Sequence, residues 1–296
     1  MRNMYYIIAN PHSGHGKGLE VLNQVTMYLT EHNISHKIYL SEYQEHTIAL
    51  TQTALAEGAN LIIAIGGDGT FSEIASAVQN REDVAIGFLP AGNGNDFAYS
   101  AGISTDIIKE LEGILKNEAT ELDYIDANGM KSLNICGCGL DTEVLLDYNK
   151  KTKQTKFSYI VSLLKVLRHY KEYRLKINID NLQTIEGEYL LVACCNGKRF
   201  GAKIKVCPTA NLEDGLMDLV IINKVKRWKV PFLLLVFLMG KHLNKKWCKH
   251  VKCKNVVIQN YDGQDFYVNV DGQLTKSNVL NARIVPCKLL CLNQKV

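Results

Sequence analysis

Three short loops carry the residue types best suited to binding a phosphate. They read NPHSG at residues 10–14, GGDGT at 66–70 and PAGNGNDFA at 90–98. Glycine and small polar residues let backbone N–H groups face a phosphate, and a helix that starts after the loop adds favourable partial charge. The first loop alone also fits an ordinary turn between a strand and a helix. Together the three loops predict a phosphate-binding site.

Asp68 lies within the second loop, where its carboxylate would repel a bound phosphate. Mg²⁺ removes that conflict, because it prefers oxygen ligands and is usually held by one or two carboxylates plus phosphates. We therefore predict that Asp68 binds Mg²⁺, the alternative being a capping residue in a glycine turn. In the third loop, Asn93, Asn95 and Asp96 could bind nucleotide hydroxyls or order the water shell of the metal. Asp96 could instead only cap the following helix.

The loops follow strands in a pattern that alternates strand and helix. The strands are predicted at Tyr5–Ala9, Lys37–Leu40, Leu61–Ile65 and Ala85–Leu89. Apolar residues at helical spacing between Leu19 and Leu29 predict a helix, and so does the segment that ends at Ala56. This order predicts a nucleotide-binding α/β domain with a parallel sheet over residues 1–127. The loops then lie at the carboxyl ends of strands, where such sheets bind ligands.

After about residue 128 the pattern becomes mostly β. Residues 173–180 alternate apolar and polar side chains, which is typical of a half-exposed strand. Further strands are predicted at Tyr189–Cys195, Met217–Ile222, Asn255–Gln259 and Phe266–Val270, and helices at about 156–170 and 228–243. We predict a second, mostly antiparallel β-sandwich domain for lipid or other substrate over residues 128–281. The C-terminal strands, in 282–296, could return to the first domain.

Composition is that of an ordinary globular protein. Of the 296 residues 47% are hydrophobic, and the net charge of +4 is too small to indicate nucleic acid binding. Nine cysteines without a C-x-x-C pair predict reduced, buried thiols, and a zinc site at Cys136 and Cys138 lacks the usual spacing. We recognise no signal peptide, and the longest apolar run, Val230–Met239, is about half of a membrane span. We therefore expect a cytoplasmic protein, and a homodimer is compatible with the sequence.

Basic residues flank this apolar run. They are Lys224, Lys226, Arg227 and Lys229 before it, and Lys241, Lys245, Lys246, Lys249, Lys252 and Lys254 after it. The apolar side chains between them are Phe232, Leu233, Leu234, Leu235, Phe237 and Leu238. A helix of this kind could lie on an anionic membrane surface at the inner face of the plasma membrane. It could equally pack inside the second domain, with its lysines in solvent.

Taken together, these motifs resemble the diacylglycerol kinase catalytic domain family, which also includes sphingosine and ceramide kinases. The family elements N-P-x-S-G, G-G-D-G-T and P-x-G-x-x-N-D-F-A have counterparts in the three loops. Further similarity lies in GCGLD at 137–141, PTANLEDGLMDL at 208–219 and VDGQ at 270–273. The resemblance covers nearly the whole chain and is closest to the soluble bacterial lipid kinases. The element GGDGT alone also fits NAD kinases and phosphofructokinases.

The resemblance implies a three-layer fold like that of NAD kinase and phosphofructokinase. It also implies an enzyme that transfers the γ-phosphoryl group of ATP to a hydroxyl of diacylglycerol or a similar lipid. Asp68 would lie beside the catalytic Mg²⁺, with Asp96 and Asp141 in support. ATP would be bound by Asn10, Pro11, His12, Ser13, Gly14, Gly66, Gly67, Asp68, Gly69, Thr70, Gly92, Asn93 and Asn95.

A structural Mg²⁺ is also implied by the resemblance, in the segment that reads ANLEDGLMD. It would be held by the Asp214 carboxylate and by the backbone carbonyls of Asn211 and Leu216. The dipeptide Asp214-Gly215, taken alone, equally fits a turn before a strand.

Three positions depart from the family pattern. Asn93 stands where Thr or Ser is usual, Tyr99 where many bacterial members have Arg, and Gln273 where a Glu is proposed as general base. An amide cannot accept a proton at neutral pH, and loss of a general base costs roughly 10²–10⁴ in rate. Phosphoryl transfer depends mainly on positioning and charge neutralisation, so such an enzyme would be slowed rather than inactive. Asp68 or Asp141 could replace the missing base.

Two other functions compete with an active lipid kinase. The first is a weakly active or inactive nucleotide-binding regulatory protein of the same family, for which Gln273 and Tyr99 are the evidence. The second is a kinase of a soluble metabolite such as NAD. The NDFA extension, the DGLMD segment and the basic-apolar helix argue against that second alternative.

Overall fold

The computed structural model describes residues 4–43, 45–78, 81–116, 118–152, 155–169, 172–201 and 204–293. The chain forms two compact units. The first consists of Met1–Asp123 with Cys287–Val296, and the second of Tyr124–Pro286. Buried apolar side chains form separate core clusters within each unit.

A parallel sheet forms the centre of the first unit. Its strands are β1 (Tyr5–Ala9), β2 (His36–Leu40), β3 (Leu61–Gly66) and β4 (Ala85–Pro90), followed by the end of the C-terminal strand, Val279–Leu292. Their order is β2-β1-β3-β4, and then residues 290–292 of the C-terminal strand, with all neighbours parallel. Every residue of β1, β3 and β4 is buried, as expected for parallel strands covered on both faces.

Five helices accompany this sheet. They are α1 (Lys17–Glu31), α2 (His46–Ala56), α3 (Asp68–Ala77), α4 (Asp96–Ser100) and α5 (Ile107–Leu115). α1 buries Val21, Val25 and Leu29 on one side, which is the apolar stripe expected of a helix that packs on a core. α3 and α4 start inside the second and third glycine-rich loops, so the loops lead directly into helix N-termini.

The second unit is built from antiparallel strands. These are β5 (Ala119–Ala127), β6 (Met130–Ser132), β7 (Ile135–Gly139), β8 (Tyr173–Ile179), β9 (Gln183–Cys195), β10 (Met217–Asn223), β11 (Cys248–Cys253), β12 (Asn255–Asn260), β13 (Phe266–Val270) and β14 (Gln273–Ser277). The strand order is β14-β13-β7-β9-β8-β12, then the C-terminal strand, while β10 pairs with β9 and β11. β5 starts in the first unit and pairs with β6 in the second.

Both faces of the central strands in this unit are buried. Val192 and Leu219 belong to a core between β-strands, whereas Leu191 and Val220, one position along, belong to a core that also contains helical residues. The helices are α6 (Leu140–Asn149), α7 (Lys156–His169) and α8 (Val230–Leu238). This alternation is the period-two pattern of a strand, and it produces a β-sandwich covered by helices on one side.

The predicted fold class, a parallel α/β domain followed by an antiparallel β-sandwich, is confirmed. The predicted helix at 228–243 is wrong in its bounds. A 3₁₀ turn occupies Arg227–Lys229, α8 ends at Leu238, and Gly240 adopts a left-handed conformation with φ +66°. A glycine in this conformation commonly terminates a helix, which explains why the apolar run extends further than the helix.

Candidate active site

The three glycine-rich loops meet at the carboxyl edge of the parallel sheet. They follow β1, β3 and β4, which are neighbours in the sheet. The backbone N–H of Asn10 donates to the carbonyl of Ile65 over 2.9 Å, and that of Ala91 donates to the carbonyl of Gly66 over 2.7 Å. These bonds connect the start of the second loop to each of the other two.

Glycine is required where the loops touch. A Cβ on Gly14 would lie 2.1 Å from the carbonyl oxygen of Ala91, and one on Gly92 would lie 2.5 Å from the Cα of Gly67. Side chains at these positions would force the loops apart. Gly14 also has φ +59°, which L side chains rarely adopt. The glycines therefore let the three backbones pack closely.

Two carboxylates converge beside the third loop. A Cβ on Gly94 would lie 3.1 Å from Oδ2 of Asp68 and 3.5 Å from Oδ2 of Asp96. Oδ1 of Asp68 accepts a hydrogen bond from the backbone N–H of Phe97 over 2.9 Å, which fixes the side chain. Carboxylate oxygens are hard donors, and two carboxylates close together suit Mg²⁺. Asp68 and Asp96 therefore fit that ion.

A cleft of about 430 Å³ opens next to the first two loops. The predicted residues that line it are Asn10, His12, Ser13, Gly67, Gly69 and Thr70. α3 starts here without a side-chain cap, so its first N–H groups are available to an anion in the cleft. The volume lies within the range typical of small-molecule sites.

Other predicted residues have supporting positions in the same loops. Pro11 and Gly14 are half-buried, and Asn93 is exposed. Asn95 has φ +53°, and its Nδ2 donates to the carbonyl of Gly92 over 2.9 Å. Asn95 therefore helps to hold the shape of the third loop, and the nucleotide contact predicted for it stays a prediction.

The opposite wall of the cleft contains residues that no sequence motif indicated. It consists of residues after β2 and on the helices beside it, namely Ser41, Glu42, Tyr43, Glu45, Thr47 and Glu73. Tyr43 is 66% exposed and stacks on His46 with ring centroids 4.3 Å apart. Because β2 is the neighbour of β1, the rule that ligands bind at strand carboxyl ends could have identified this segment.

Asp141 is a buried carboxylate of the second unit. It lies in the first turn of α6, directly after β7, and is 6% exposed. Its Oδ2 accepts a hydrogen bond from Nδ2 of Asn269 over 2.9 Å, and its Oδ1 has no hydrogen-bond partner among the described residues. Burial raises the pKa of this carboxyl to about 6, with the Asn269 bond opposing the change.

An apolar cavity of about 60 Å³ lies next to Asp141. Its other walls are apolar side chains from α6, α7 and α8, from β9 and β10, and from the loop between those two strands. The helices and strands contribute Leu140, Val144, Tyr159, Leu163, Leu167, Leu190, Leu191, Ile222, Leu233 and Phe237, and the loop contributes Phe200, Ile204 and Val206. Among the described residues of this lining, Asp141 is the single acidic one. The arrangement places one carboxylate at an otherwise apolar cavity.

Gln273 follows a tight turn between β13 and β14. Asp271 and Gly272 have φ +48° and +94°, and Val270 pairs with Gln273, so the turn is a two-residue hairpin. The Gln273 side chain is exposed. Oδ1 of Asn269 accepts from the N–H of Gly272 over 2.8 Å, so Asn269 links this turn to Asp141.

Asp271 has a structural role beside this position. Its carboxylate accepts hydrogen bonds from the backbone N–H groups of Leu133 and Ile135, at 2.6 and 2.8 Å, and from the hydroxyl of Ser132. Burial raises its pKa to about 6. Asp271 lies within the VDGQ element, but its role and that of Asn269 depend on hydrogen bonds to residues distant in sequence, which only the fold reveals.

In the loop around Asp214, the carboxylate is already paired with the ammonium group of Lys252, which lies on β11. Oδ1 of Asp214 accepts from the N–H of Leu216 over 3.1 Å, and Oδ2 forms an ion pair with Lys252. The side chain of Asn211 accepts from the N–H of Glu213 over 3.2 Å. A Mg²⁺ ion bound by Asp214 would have to displace the Lys252 ammonium, so the loop fits a structural metal less well than the Asp68 site does.

Comparison with known proteins agrees with this geometry. Residues 4–127 match the diacylglycerol kinase catalytic domain, and residues 134–293 match the YegS C-terminal NAD kinase beta sandwich-like domain. The chain belongs to the diacylglycerol kinase family. As a member of this family it is a lipid kinase, which confirms the resemblance found in the sequence.

Relatives in the diacylglycerol kinase family match over most of their length. Diacylglycerol kinase of Staphylococcus carnosus strain TM300 is 26% identical over 276 residues, which cover 92% of this chain and 89% of the relative. The Bacillus subtilis strain 168 enzyme of that name is 28% identical over 272 residues, covering 90% and 88%. A crystal structure of a diacylglycerol kinase from Bacillus anthracis strain Sterne has the same fold, with TM-score 0.75, 20% identity and coverage of 99% and 97%.

Proposed function

We propose that this lipid kinase uses ATP and Mg²⁺ to phosphorylate a hydroxyl of diacylglycerol or a similar lipid. The observation that carries the proposal is the pairing of one buried carboxylate with an apolar cavity in the second unit. A lipid alcohol would use both features, since its hydroxyl must lose a proton and the cavity would shelter the part of its acyl chain nearest that hydroxyl. A soluble metabolite such as NAD has no use for such a cavity.

On the donor side, the three loops would hold ATP. Backbone N–H groups at the start of α3 would bind the phosphates. Asp68 and Asp96 would hold Mg²⁺ through their carboxylates. When bound, Mg²⁺ neutralises the charge on the transferred phosphoryl group. The exposed ring of Tyr43 would offer a stacking surface to the adenine base.

On the acceptor side, Asp141 would take over the role of general base. Its pKa of about 6 leaves it ionised at neutral pH and makes it more basic than an ordinary Asp. The acceptor oxygen forms a bond to the γ-phosphorus as the bond to the β-phosphate oxygen breaks and ADP leaves. The hydroxyl proton passes to Oδ1, which has no hydrogen-bond partner among the described residues. The amide of Gln273 cannot take this proton.

The outer faces of two helices suggest how the enzyme reaches its substrate. α7 buries Leu163 but exposes Phe157 and Leu164, at 75% and 52%. α8 buries Leu233 but exposes Phe232 and Leu235, at 66% and 53%. Both helices line the apolar cavity on their inner sides. We infer that the exposed apolar residues dip into a membrane surface, so that an acyl chain can enter beneath them.

This membrane contact refines the sequence prediction for residues 224–254. Leu233 and Phe237 face the core and cavity, and only some of the apolar side chains of that segment point outward. The side chain of Leu234 lies outside the described residues. None of the helices in the described ranges combines the length and apolar character that a transmembrane span requires.

Vesicle binding tests the contact. Phe232→Ser combined with Leu235→Ser should reduce co-sedimentation with anionic vesicles by at least about tenfold, since about 2–3 kcal/mol of apolar burial is lost for each side chain. Met27→Ser is the matched control, because Met27 is 64% exposed on α1 of the other unit. Equal binding of the double variant and wild type would refute the contact.

Phosphorylation with γ-labelled ATP tests the proposed activity itself. Purified protein is incubated with diacylglycerol in mixed micelles, with sphingoid lipids, and with NAD. We expect label in diacylglycerol or a sphingoid lipid, none in NAD, and none anywhere with Asp68→Ala. Label in NAD alone would overturn the proposal, and label in no acceptor would favour a nucleotide-binding regulatory protein.

A further inference from the structure

A second group of metal-ligating side chains lies in the β-sandwich unit. Cys207, Asp218 and His250 bring one sulfur, one oxygen and one nitrogen atom within 4.8 Å of one another. Cys207 Sγ lies 3.9 Å from His250 Nε2, which lies 2.5 Å from Asp218 Oδ1. The glycine-rich loops and Asp141 are not part of this group, so the lipid kinase chemistry makes no use of it.

The strand register explains why these residues meet. In the β10–β11 pair, Asp218 lies opposite Lys252 and Val220 lies opposite His250. Asp218 and His250 are therefore diagonal neighbours on one face of the sheet. Cys207 comes from the loop that crosses this face, where its N–H donates to the carbonyl of Lys198 over 3.1 Å. Two strands and a loop held by this hydrogen bond therefore position the three side chains.

The burial of Asp218 points to a cation. Asp218 is 1% exposed, and its Oδ2 has no hydrogen-bond partner among the described residues. A buried carboxylate with an unpartnered oxygen is costly unless a positive charge lies against it. Lys252, the residue opposite in the register, forms its ion pair with Asp214 and interacts with Asp218 only at longer range, and His250 contacts the other oxygen of Asp218, Oδ1. Cys207 is fully buried as well. The side chain of His250 is partly exposed, so an ion from solvent would reach the group on that side.

We propose that Cys207, Asp218 and His250 bind a single divalent cation of the zinc type. A thiolate, an imidazole and a carboxylate are the three protein ligand types of Zn²⁺, whereas Mg²⁺ avoids sulfur. Tetrahedral bonds from zinc to sulfur and nitrogen place those two atoms about 3.6 Å apart, close to the observed 3.9 Å. The ion would replace the His250–Asp218 hydrogen bond, and a water molecule would complete the coordination.

Such an ion would stabilise one wall of the apolar cavity. Val206, the neighbour of Cys207, lines that cavity, and its carbonyl lies 2.6 Å from Nε2 of His242. A metal at Cys207 would pin this loop to β10 and β11. The site does not depend on the kinase proposal, because zinc binding and phosphoryl transfer are measured separately.

Metal titration of the full chain tests the site. After dialysis against a chelator, wild type is titrated with Zn²⁺ in competition with a chromophoric chelator, and in parallel with Co²⁺. We expect one equivalent of either metal and a thiolate-to-cobalt charge-transfer band. His250→Gln should weaken binding by at least about tenfold, because it removes a ligand. Cys207→Ser should abolish the charge-transfer band.

The control variant is Cys287→Ser, which removes the exposed thiol and should leave the stoichiometry and the band unchanged. Wild type and His250→Gln keep the test valid if Cys207→Ser fails to fold, which circular dichroism would show. A wild-type protein without the cobalt band overturns the proposal, as does His250→Gln with wild-type affinity. A band that is lost in Cys287→Ser would assign the metal to the exposed thiol and overturn it too.

Discussion

Protonation of Asp141 gives a prediction with two independent readouts, one kinetic and one thermodynamic. The carboxyl is buried beside the apolar cavity and has a pKa of about 6, compared with an ordinary value of 3.8. If it accepts the proton of the lipid hydroxyl, activity must fall as this group is protonated. We expect kcat/KM for diacylglycerol to halve near pH 6 and to fall about tenfold per pH unit below pH 5.

The same pKa fixes the effect on stability. A carboxyl with a higher pKa in the folded than in the unfolded state lowers the free energy of unfolding once it must ionise in the fold. This loss grows as pH rises from about 4 to about 6 and stays constant above pH 6. The difference of about two pKa units corresponds to about 3 kcal/mol. Asp141→Asn should therefore raise the free energy of unfolding at pH 8 by up to about 3 kcal/mol and leave it nearly unchanged at pH 4.

The assay compares Asp141→Asn with wild type at each pH from 5 to 8. The variant should lose about 10²–10⁴ in kcat/KM at pH 8, and its residual activity should lack the dependence centred near pH 6. Taking the ratio of the two proteins cancels contributions that they share. These include titration of ATP itself and of Asp271, whose pKa is also raised to about 6 by burial.

Asp147→Asn on the same helix is the control. Lys165 holds the pKa of Asp147 below its usual range, so this substitution should slightly destabilise the protein and leave the pH profile unchanged. A wild-type to Asp141→Asn activity ratio that is constant between pH 5 and 8 would refute the base assignment. A variant that is less stable than wild type at pH 8 would refute the burial argument.

Four further substitutions test the metal and base assignments. Asp68→Ala should abolish transfer and Mg²⁺-dependent ATP binding, and turnover above a tenth of wild type at saturating Mg²⁺ would exclude Asp68 as the metal ligand. Gln273→Glu should change kcat little if Asp141 is the base, whereas a rise of roughly tenfold or more would show that the site lacks one. Lys252→Met should make the melting temperature more dependent on Mg²⁺ by removing the ammonium that faces Asp214, and adding Asp214→Asn should cancel that gain. A melting temperature that responds to Mg²⁺ as in wild type would remove the structural metal from the Asp214 loop.

The first unit was largely predictable from sequence because its signals are local. Continuous apolar runs such as Leu61–Ile65 indicate strands buried on both faces, and each ligand loop follows one of them directly. Since parallel strands end at a common edge, the loops had to meet. The common edge explains why Gly67 and Gly92 come into contact, but the sequence does not predict how closely their backbones approach.

The second unit was harder to predict because its key contacts join distant positions. Asn269 lies far from Asp141 in sequence, and its role follows only from the β7–β13 pairing. The apolar cavity is built from three helices, two strands and a loop, and although the GCGLD motif contains Asp141, the other walls belong to no motif. Short strands that are rich in polar residues, such as β14, show no clear alternation of apolar and polar side chains. In α8 the helix ends at Leu238, before the end of the apolar run.

The C-terminal strand constrains how this protein can be made. Leu290–Leu292 pair with Ala85–Gly87 on β4, so the sheet of the first unit is completed by residues near the far end of the chain. While the ribosome is still translating the second unit, β4 has an unpaired edge that invites wrong pairing between nascent chains. A fragment that carries only the glycine-rich loops would keep that exposed edge permanently, and any protease that trims the last strand would reopen it.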